Sequence, residues 1–274
     1  MENSLDKKIN LCFLLHNGNR LFNVMTSLYK LKQKHNFVFN FYNDNPNWEL
    51  PIKKICYPLI GNSHIDVGLN TQENVGTFMA RIKMIKKLRW KEYPVMFLDD
   101  DDPVLSNLAE LIMEDDPKSI IYYQYYEIKD RNLYNEMTQN KQILMPGNYK
   151  RKRVVDNWYV SGNLYNGPML SEFAKFVTLN QKELIDDVFG TSRIISGEDD
   201  LFNSLFSRFC YHKGIEELTK LEKITALSSE IEPRRFRYTE EKGLYSSETA
   251  ENEFREKVRK SCDILNELMK DETV

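Results

Sequence analysis

Cysteine is scarce in this sequence, and what there is does not cluster. Cys12, Cys56, Cys210 and Cys262 stand far apart, with no CxxC pair and no histidine at zinc-site spacing, which excludes a disulfide scaffold or a structural zinc as the basis of the fold. Long apolar runs are missing as well. No stretch reaches the roughly 18 residues that span a bilayer, and the opening MENSLDKKIN is polar, so neither a transmembrane helix nor a signal peptide is expected. The setting that follows is reducing and cytoplasmic, with peripheral attachment to a membrane left open. An excess of one charge is also lacking. The formal net charge is −3 and the one dense basic run is Lys150 to Arg153, which argues against nucleic acid as a partner, because such binding draws on clustered Lys and Arg over phosphates.

What is present suffices for a large core, since 41% of the 274 residues are hydrophobic and 12% aromatic. INLCFLL, residues 9 to 15, is an apolar run of strand length closed by the turn-forming HNGNR. Apolar residues then recur at helical spacing from Leu21 to Leu31, and FVFNFYND follows as a second strand. IKKICY, residues 52 to 57, is expected as a third. Phe78, Ile82 and Ile85 mark one face of a helix that leads into strand VMFL. Strands alternating with helices predict an α/β fold, a mostly parallel sheet covered on both faces. Farther on, SIIYYQYYEI reads as a strand, NYKRKRVVDNWYVSGNLYNG as a loop and strand region, and EDDLFNSLFSRF as the start of a helix. From about Ser228 the chain turns polar, and then Phe254, Val258, Cys262, Leu265 and Met269 stripe a final amphipathic helix. That helix is expected to dock on the body or on a second copy of the chain.

Two acidic clusters carry the chemistry. MFLDDDDPV places Asp99, Asp100, Asp101 and Asp102 directly behind a strand, where open α/β sheets bind ligands. In extended backbone, alternate carboxylates share a face, so Asp99 with Asp101, or Asp100 with Asp102, could hold Mg²⁺ or Mn²⁺ whose remaining sites go to water and substrate phosphate. The same run also suits a helix cap ahead of PVLSNLAELI, with Pro103 in its first turn. The second cluster, SGEDDLF, puts Glu198, Asp199 and Asp200 at a helix N-terminus. There they complement the helix dipole, or one of them, withdrawn from water beside its neighbours, serves as a general base.

Taken together and in order, these segments resemble family 2 glycosyltransferases of the GT-A fold. INLCFLLHNGNR is similar to the family's first strand and Asn-Arg turn, FVFNFYNDNP to its second strand and acidic nucleotide-binding turn, and ENVGTFMAR to its Asn-x-Gly-x-x-x-Ala-Arg segment. FLDDDDPV resembles its Asp-x-Asp-Asp metal motif, VSGNLYNGPML the stretch before its acceptor site, and SGEDDLF its Glu-Asp motif. The resemblance implies a GT-A, Rossmann-like domain over residues 1–227, with a nucleotide-sugar-binding half (1–110) and an acceptor half (111–227), and a C-terminal helical extension over 228–274.

It also implies roles. Asp199 would be the catalytic base with Glu198 beside it. Asn17, Asn19, Arg20, Asp44, Asn74, Arg81, Asp99 and Asp100 would face the nucleotide-sugar, with Asn43 standing where the family usually has an aspartate. Asp99, Asp101, Asp102 and His212 would hold Mn²⁺ or Mg²⁺. Asn74 equally suits a helix cap, and His212 a packing residue. The expected activity is metal-dependent, inverting transfer of a sugar from a nucleotide-sugar, UDP-linked by expectation, to a glycan, lipid-linked or protein acceptor. Two other readings stand beside it: a non-catalytic relative that binds nucleotide, glycan or a partner subunit, and a nucleotidyltransferase. HNGNR lacks the glycines and lysine that would cradle a triphosphate, which counts against the last.

Overall fold

The apolar run at residues 9 to 15 becomes strand β1 (Ile9–Leu15), and every residue in it is buried. This is what a strand covered on both faces requires. The structure is a computed structural model that describes residues 7–15, 28–29, 31–44, 64–70, 75–99, 107–128, 152–156, 159–194, 197–215, 218–229 and 248–271. The other strands are β2 (Phe37–Asn43), β3 (His64–Asn70), β4 (Val95–Asp99), β5 (Ile120–Ile128), β6 (Lys152–Asp156), β7 (Leu164–Tyr165) and β8 (Leu218–Ser229). The main helices are α1 (Thr77–Lys87), α2 (Leu108–Ile112), α3 (Gly167–Leu179), α4 (Glu198–His212) and α5 (Glu248–Asp271).

Among the described residues the eight strands form one sheet, in the order β3-β2-β1-β4-β7-β5-β6, with β8 pairing β5. β3, β2, β1 and β4 run parallel. β7 runs antiparallel to both β4 and β5, β6 is antiparallel to β5, and β8 is parallel to it. The expected α/β class, a mostly parallel sheet flanked by helices, is the one observed.

Alternation along the strands divides the core in two. Ile9, Leu11, Phe13 and Leu15 point to the face covered by Leu28, Leu31 and α2. Cys12 and Leu14 point to the other, covered by α1, α3, α4 and α5. On that second face, Phe202 of α4 meets Phe97 of β4 edge-on at 5.7 Å and Tyr165 of β7 at 6.0 Å, and Phe173 of α3 meets Phe206 at 5.4 Å. Such pairs add about 0.5–1.5 kcal/mol each beyond burial. They hold α4 against the middle of the sheet, with its N-terminus at the edge where β4 ends.

Three observed elements were not expected from the sequence. The strand expected at residues 52 to 57 lies outside the described residues; β2 pairs with His64–Asn70, the first of the three. Helix α3 and strand β8 were not anticipated. Asn166 caps α3, its side chain accepting from the Met169 amide, with Pro168 in the first turn. β8 is a twelve-residue strand that adds to the sheet beside β5.

Helix α5 docks on the body. Phe254, Val258, Cys262, Leu265 and Met269 are all buried in the cluster that holds α4, and Ser261 Oγ donates to the Leu184 carbonyl at 2.7 Å. Leu265 is fully buried, so Leu265→Ala should lower unfolding stability by about 2–5 kcal/mol in urea titration. A change below about 1 kcal/mol would show that α5 is not part of the core.

Candidate active site

β4 is apolar until its last residue, so Asp99 emerges at the carboxyl edge of the sheet. Leu14 lies beside it in register and Leu15 pairs with Asn43, which brings the ends of β1, β2 and β4 to one level. Asp44 follows immediately; its amide donates to the Leu15 carbonyl at 2.8 Å and its Oδ1 accepts from the Val75 amide at 3.0 Å. Buried at 3% exposure, Asp44 ties the end of β2 to the chain entering α1. Gly76 then turns that chain with φ 78°, a Cβ there standing 2.7 Å from the Ile194 carbonyl oxygen. Only glycine combines that backbone conformation with so close an approach.

One turn into α1 lies Arg81, fully buried among apolar neighbours. A buried guanidinium is costly unless paired. Its Nη2 donates to Asp99 Oδ1 at 3.2 Å, and its Nη1 stands 3.2 Å from Asp199 Oδ1. The second contact is an ion pair without hydrogen-bond alignment, and Nε finds no acceptor among the described residues. Burial opposes the charge on Arg81, but Asp199, Asp99 and Glu198 together outweigh it, so its proton affinity rises above the ordinary value.

The segment before α3 braces both aspartates. The Asp99 amide donates to Ser161 Oγ at 3.1 Å, and the Val160 amide donates to Asp199 Oδ1 at 3.0 Å. Gly162, with φ 82°, donates its amide to the Phe97 carbonyl at 2.8 Å. Beneath, the Tyr165 hydroxyl donates to Asn203 Oδ1 at 2.8 Å. Ser161 and the Val160 amide were not among the expected site groups. The Ser-Gly pair within VSGN was their available signal, since a glycine before a two-residue strand marks a turn that can bring an amide and a hydroxyl to a ligand.

Glu198 and Asp199 open α4, one after the other, after Gly197 at φ 66°. Glu198 is 7% exposed. Burial first, and then the Asp199 charge, pushes its carboxyl up to about 8, with Arg81 opposing. Near neutral pH it therefore holds a proton. The Asp199 side chain keeps 21% exposure and can meet a solvent-borne group.

Of the expected site residues, the structure brings together Arg81, Asp99, Glu198 and Asp199, with Asp44 at the end of β2, on the far side of β1. It does not bring His212 to them. His212 closes the same helix that Asp199 opens, roughly 20 Å away along the axis, and its Nε2 lies 3.0 Å from Asn266 Oδ1 on α5. Asn17, Asn19, Arg20, Asn74, Asp100, Asp101 and Asp102 lie outside the described residues. Among the described residues, no group of three or more His, Cys, Asp or Glu is placed to hold a metal ion, and no helix is long and apolar enough to cross a membrane.

No family model matches the sequence, and no curated protein sequence does. Solved structures do. S. aureus TarS residues 1–349 in complex with UDP superposes with a TM-score of 0.50 at 15% identity, over 84% of this chain and 62% of that one. The same TarS fragment with UDP-GlcNAc gives 0.51 at 14% identity, over 92% and 66%. The glycosyltransferase GlyE of Streptococcus pneumoniae TIGR4 gives 0.45 at 14% identity, over 97% and 64%. This chain thus spans under two thirds of the TarS fragment in the UDP complex. At such identities the likeness is one of fold, and the fold is of the GT-A glycosyltransferase type.

A stability measurement tests the electrostatics. The Glu198 carboxyl ionises at about 8 when folded against an ordinary value of 4.5, so the folded chain binds this proton more tightly. Its contribution to stability is complete below about pH 4.5 and is lost as pH rises to about 8. Glu198→Gln should therefore flatten the decline across that window and be more stable than wild type at pH 8, read as urea midpoints at several pH values. Equal pH profiles for the two proteins would place the Glu198 carboxyl in water.

Proposed function

We propose that the chain is a glycosyltransferase, moving a sugar from a nucleotide-sugar donor to an acceptor hydroxyl. The observation that carries this reading is the buried Arg81, which ties Asp99 at the end of a central strand to Asp199 at the head of α4 within a GT-A-type fold. Two carboxylates with different surroundings stand side by side at a sheet edge, as a reaction that manages leaving-group charge on one side and a departing proton on the other requires. The TarS complexes with UDP and UDP-GlcNAc support a uridine diphosphate sugar as the donor.

In this reading the acceptor oxygen attacks the anomeric carbon as the bond from that carbon to the diphosphate oxygen breaks. The electron pair leaves with the nucleoside diphosphate, and the acceptor proton passes to Asp199. A single displacement of this kind inverts the anomeric configuration. Asp199 suits the proton because it is exposed to an incoming group and fixed by the Val160 amide and Arg81. Glu198, already protonated near neutral pH, withholds a further negative charge from the cluster. Asp99, with Asp101 and Asp102 of the same run, is the proposed holder of Mn²⁺ or Mg²⁺, which would offset charge growing on the diphosphate. The acceptor class is glycan, lipid-linked or protein.

A donor screen tests the reading directly. Common nucleotide-sugars are incubated with the wild type, Asp101→Ala and Asp199→Ala in Mn²⁺, in Mg²⁺ and in EDTA, and hydrolysis and transfer are followed. One donor should be turned over by the wild type with metal. Asp199→Ala should lose ~10²–10⁴-fold in rate while retaining donor binding, and Asp101→Ala should lose metal-dependent donor binding. Full activity in both variants would overturn the site assignment. Donor binding without any turnover in the wild type would favour a non-catalytic relative.

A further inference from the structure

The face of α1 turned away from the core carries charge of one sign. Phe78, Met79, Ile82, Met84 and Ile85 are buried together with Arg81. On the outside stand Lys83, Lys86 and Lys87, all exposed and sharing one face at three- and four-residue spacing. No Asp or Glu occurs anywhere in TFMARIKMIKK. The chain then passes through Arg89 and Lys91 before β4 begins, so residues 83–93 hold five cations against the single anion Glu92, in a chain whose formal net charge is −3. Because Met84, Ile85 and Leu88 of the core lie between them, these cations form no long run in the sequence and meet only once the helix is wound.

α5 shows the ordinary pattern of a solvated helix face. It mixes both signs, and Arg259 pairs with Glu256 and Lys270 with Glu267. Lys83, Lys86, Lys87 and Lys91 have no ion-pair partner among the described residues. The helix dipole accounts for Lys86 and Lys87 in the last turn of α1. It does not call for Lys83 before that turn or for Lys91 beyond the helix end.

The loop that follows the lysines is a fixed platform. The Asn10 side chain donates to the Trp90 carbonyl at 2.8 Å and to the Tyr93 carbonyl at 3.3 Å. Gly167 comes so close that an added Cβ would stand 2.0 Å from the Tyr93 carbonyl oxygen and 2.5 Å from that of Lys91. On this platform Trp90 and Tyr93, both partly exposed, stack at 5.9 Å with 23° between their planes, and the Arg89 guanidinium lies 4.7 Å over the Trp90 ring. A ring already stacked and already under a guanidinium is poorly placed to take a nucleic-acid base or a sugar on its face. Trp and Tyr amid unpaired lysines suit the headgroup level of a bilayer instead, where amphipathic rings settle and each basic side chain gains from anionic lipid.

We infer that the exposed face of α1 and the 89–93 loop dock on an anionic membrane surface. The loop precedes β4 and Asp99 ends that strand, roughly 13 Å farther along, so the contact lies at the end of β4 away from the active edge. This inference does not depend on the glycosyltransferase reading.

The test mixes the full chain with vesicles of phosphatidylcholine alone or of phosphatidylcholine with phosphatidylglycerol, and measures bound protein by flotation at low and high salt, with polyglutamate and single-stranded DNA as soluble polyanions for comparison. Anionic vesicles should bind the wild type at least tenfold more tightly than neutral ones, and salt should release it. Lys83→Gln, Lys86→Gln and Lys87→Gln together remove three exposed charges; the triple variant should bind anionic vesicles at least tenfold more weakly with its urea midpoint unchanged. Absence of binding to anionic vesicles at low salt, or equal binding by the triple variant, overturns the docking surface. Tighter binding to either soluble polyanion than to the vesicles overturns the membrane as its partner.

Discussion

Among the described residues, the active edge depends on one buried cation, the guanidinium of Arg81. A cation without water must find anions, and the two it finds come from different parts of the chain, Asp99 at the end of β4 and Asp199 at the head of α4. Breaking a buried pair of this kind typically costs 3–5 kcal/mol, because the remaining charges are left uncompensated. Here the charges of Asp99 and Asp199 would face each other without the guanidinium that now stands between them. Lysine would be a poor substitute. Only a planar fork with several donors reaches two carboxylates on separate elements at once, and its charge persists under burial.

Packing makes that bridge possible. Phe202 wedges α4 between Phe97 and Tyr165, so the helix can neither slide along β4 nor rotate Asp199 away from Arg81 without disturbing a dense aromatic cluster. The C-terminal helix completes the clamp. Phe254, 55 residues after Asp199 in the sequence, rests on Gly197, the residue whose left-handed turn starts α4. What reads in the sequence as a terminal extension is therefore a wall of the core, and through Gly197 it bears on where the two carboxylates point.

Local pattern made much of this legible. β1, β2, β4 and β5 are runs dominated by apolar and aromatic residues, and α1, α4 and α5 show clean helical stripes. β3 did carry a local signal, since Ile65, Val67 and Leu69 alternate with Asp66, Gly68 and Asn70 at the strand period of two, although glycine and aspartate within the run lower its strand propensity. α3 has ordinary helix-start signals in Asn166 and Pro168, but they directly follow an aromatic stretch of strand character. In the site, Asp99, Asp199 and Arg81 were each picked out. Their mutual contact was not, because pairing across β4, α1 and α4 is a property of packing. Two clues were nonetheless local. Arg81 falls three residues after Phe78 and four before Ile85, inside the apolar stripe of α1, which forecasts burial. His212 falls thirteen residues after Asp199 on one helix, which by geometry alone puts roughly 20 Å between them.

The adjacent carboxylates of α4 show how two identical functional groups come to differ. Successive helical residues point about 100° apart, so with Asp199 facing the open edge, Glu198 must turn toward the core. The positive end of the helix favours ionised carboxylates there by only about 0.3–1 kcal/mol. Burial and the neighbouring Asp199 charge move Glu198 from 4.5 up to about 8, a change that corresponds to several kcal/mol, so desolvation wins over the dipole for the inward residue. The outward one keeps its contact with water, the Val160 amide and Arg81. An acid pair in sequence thus becomes one buried and one solvent-facing carboxyl in space, and the difference comes from the turn of the helix.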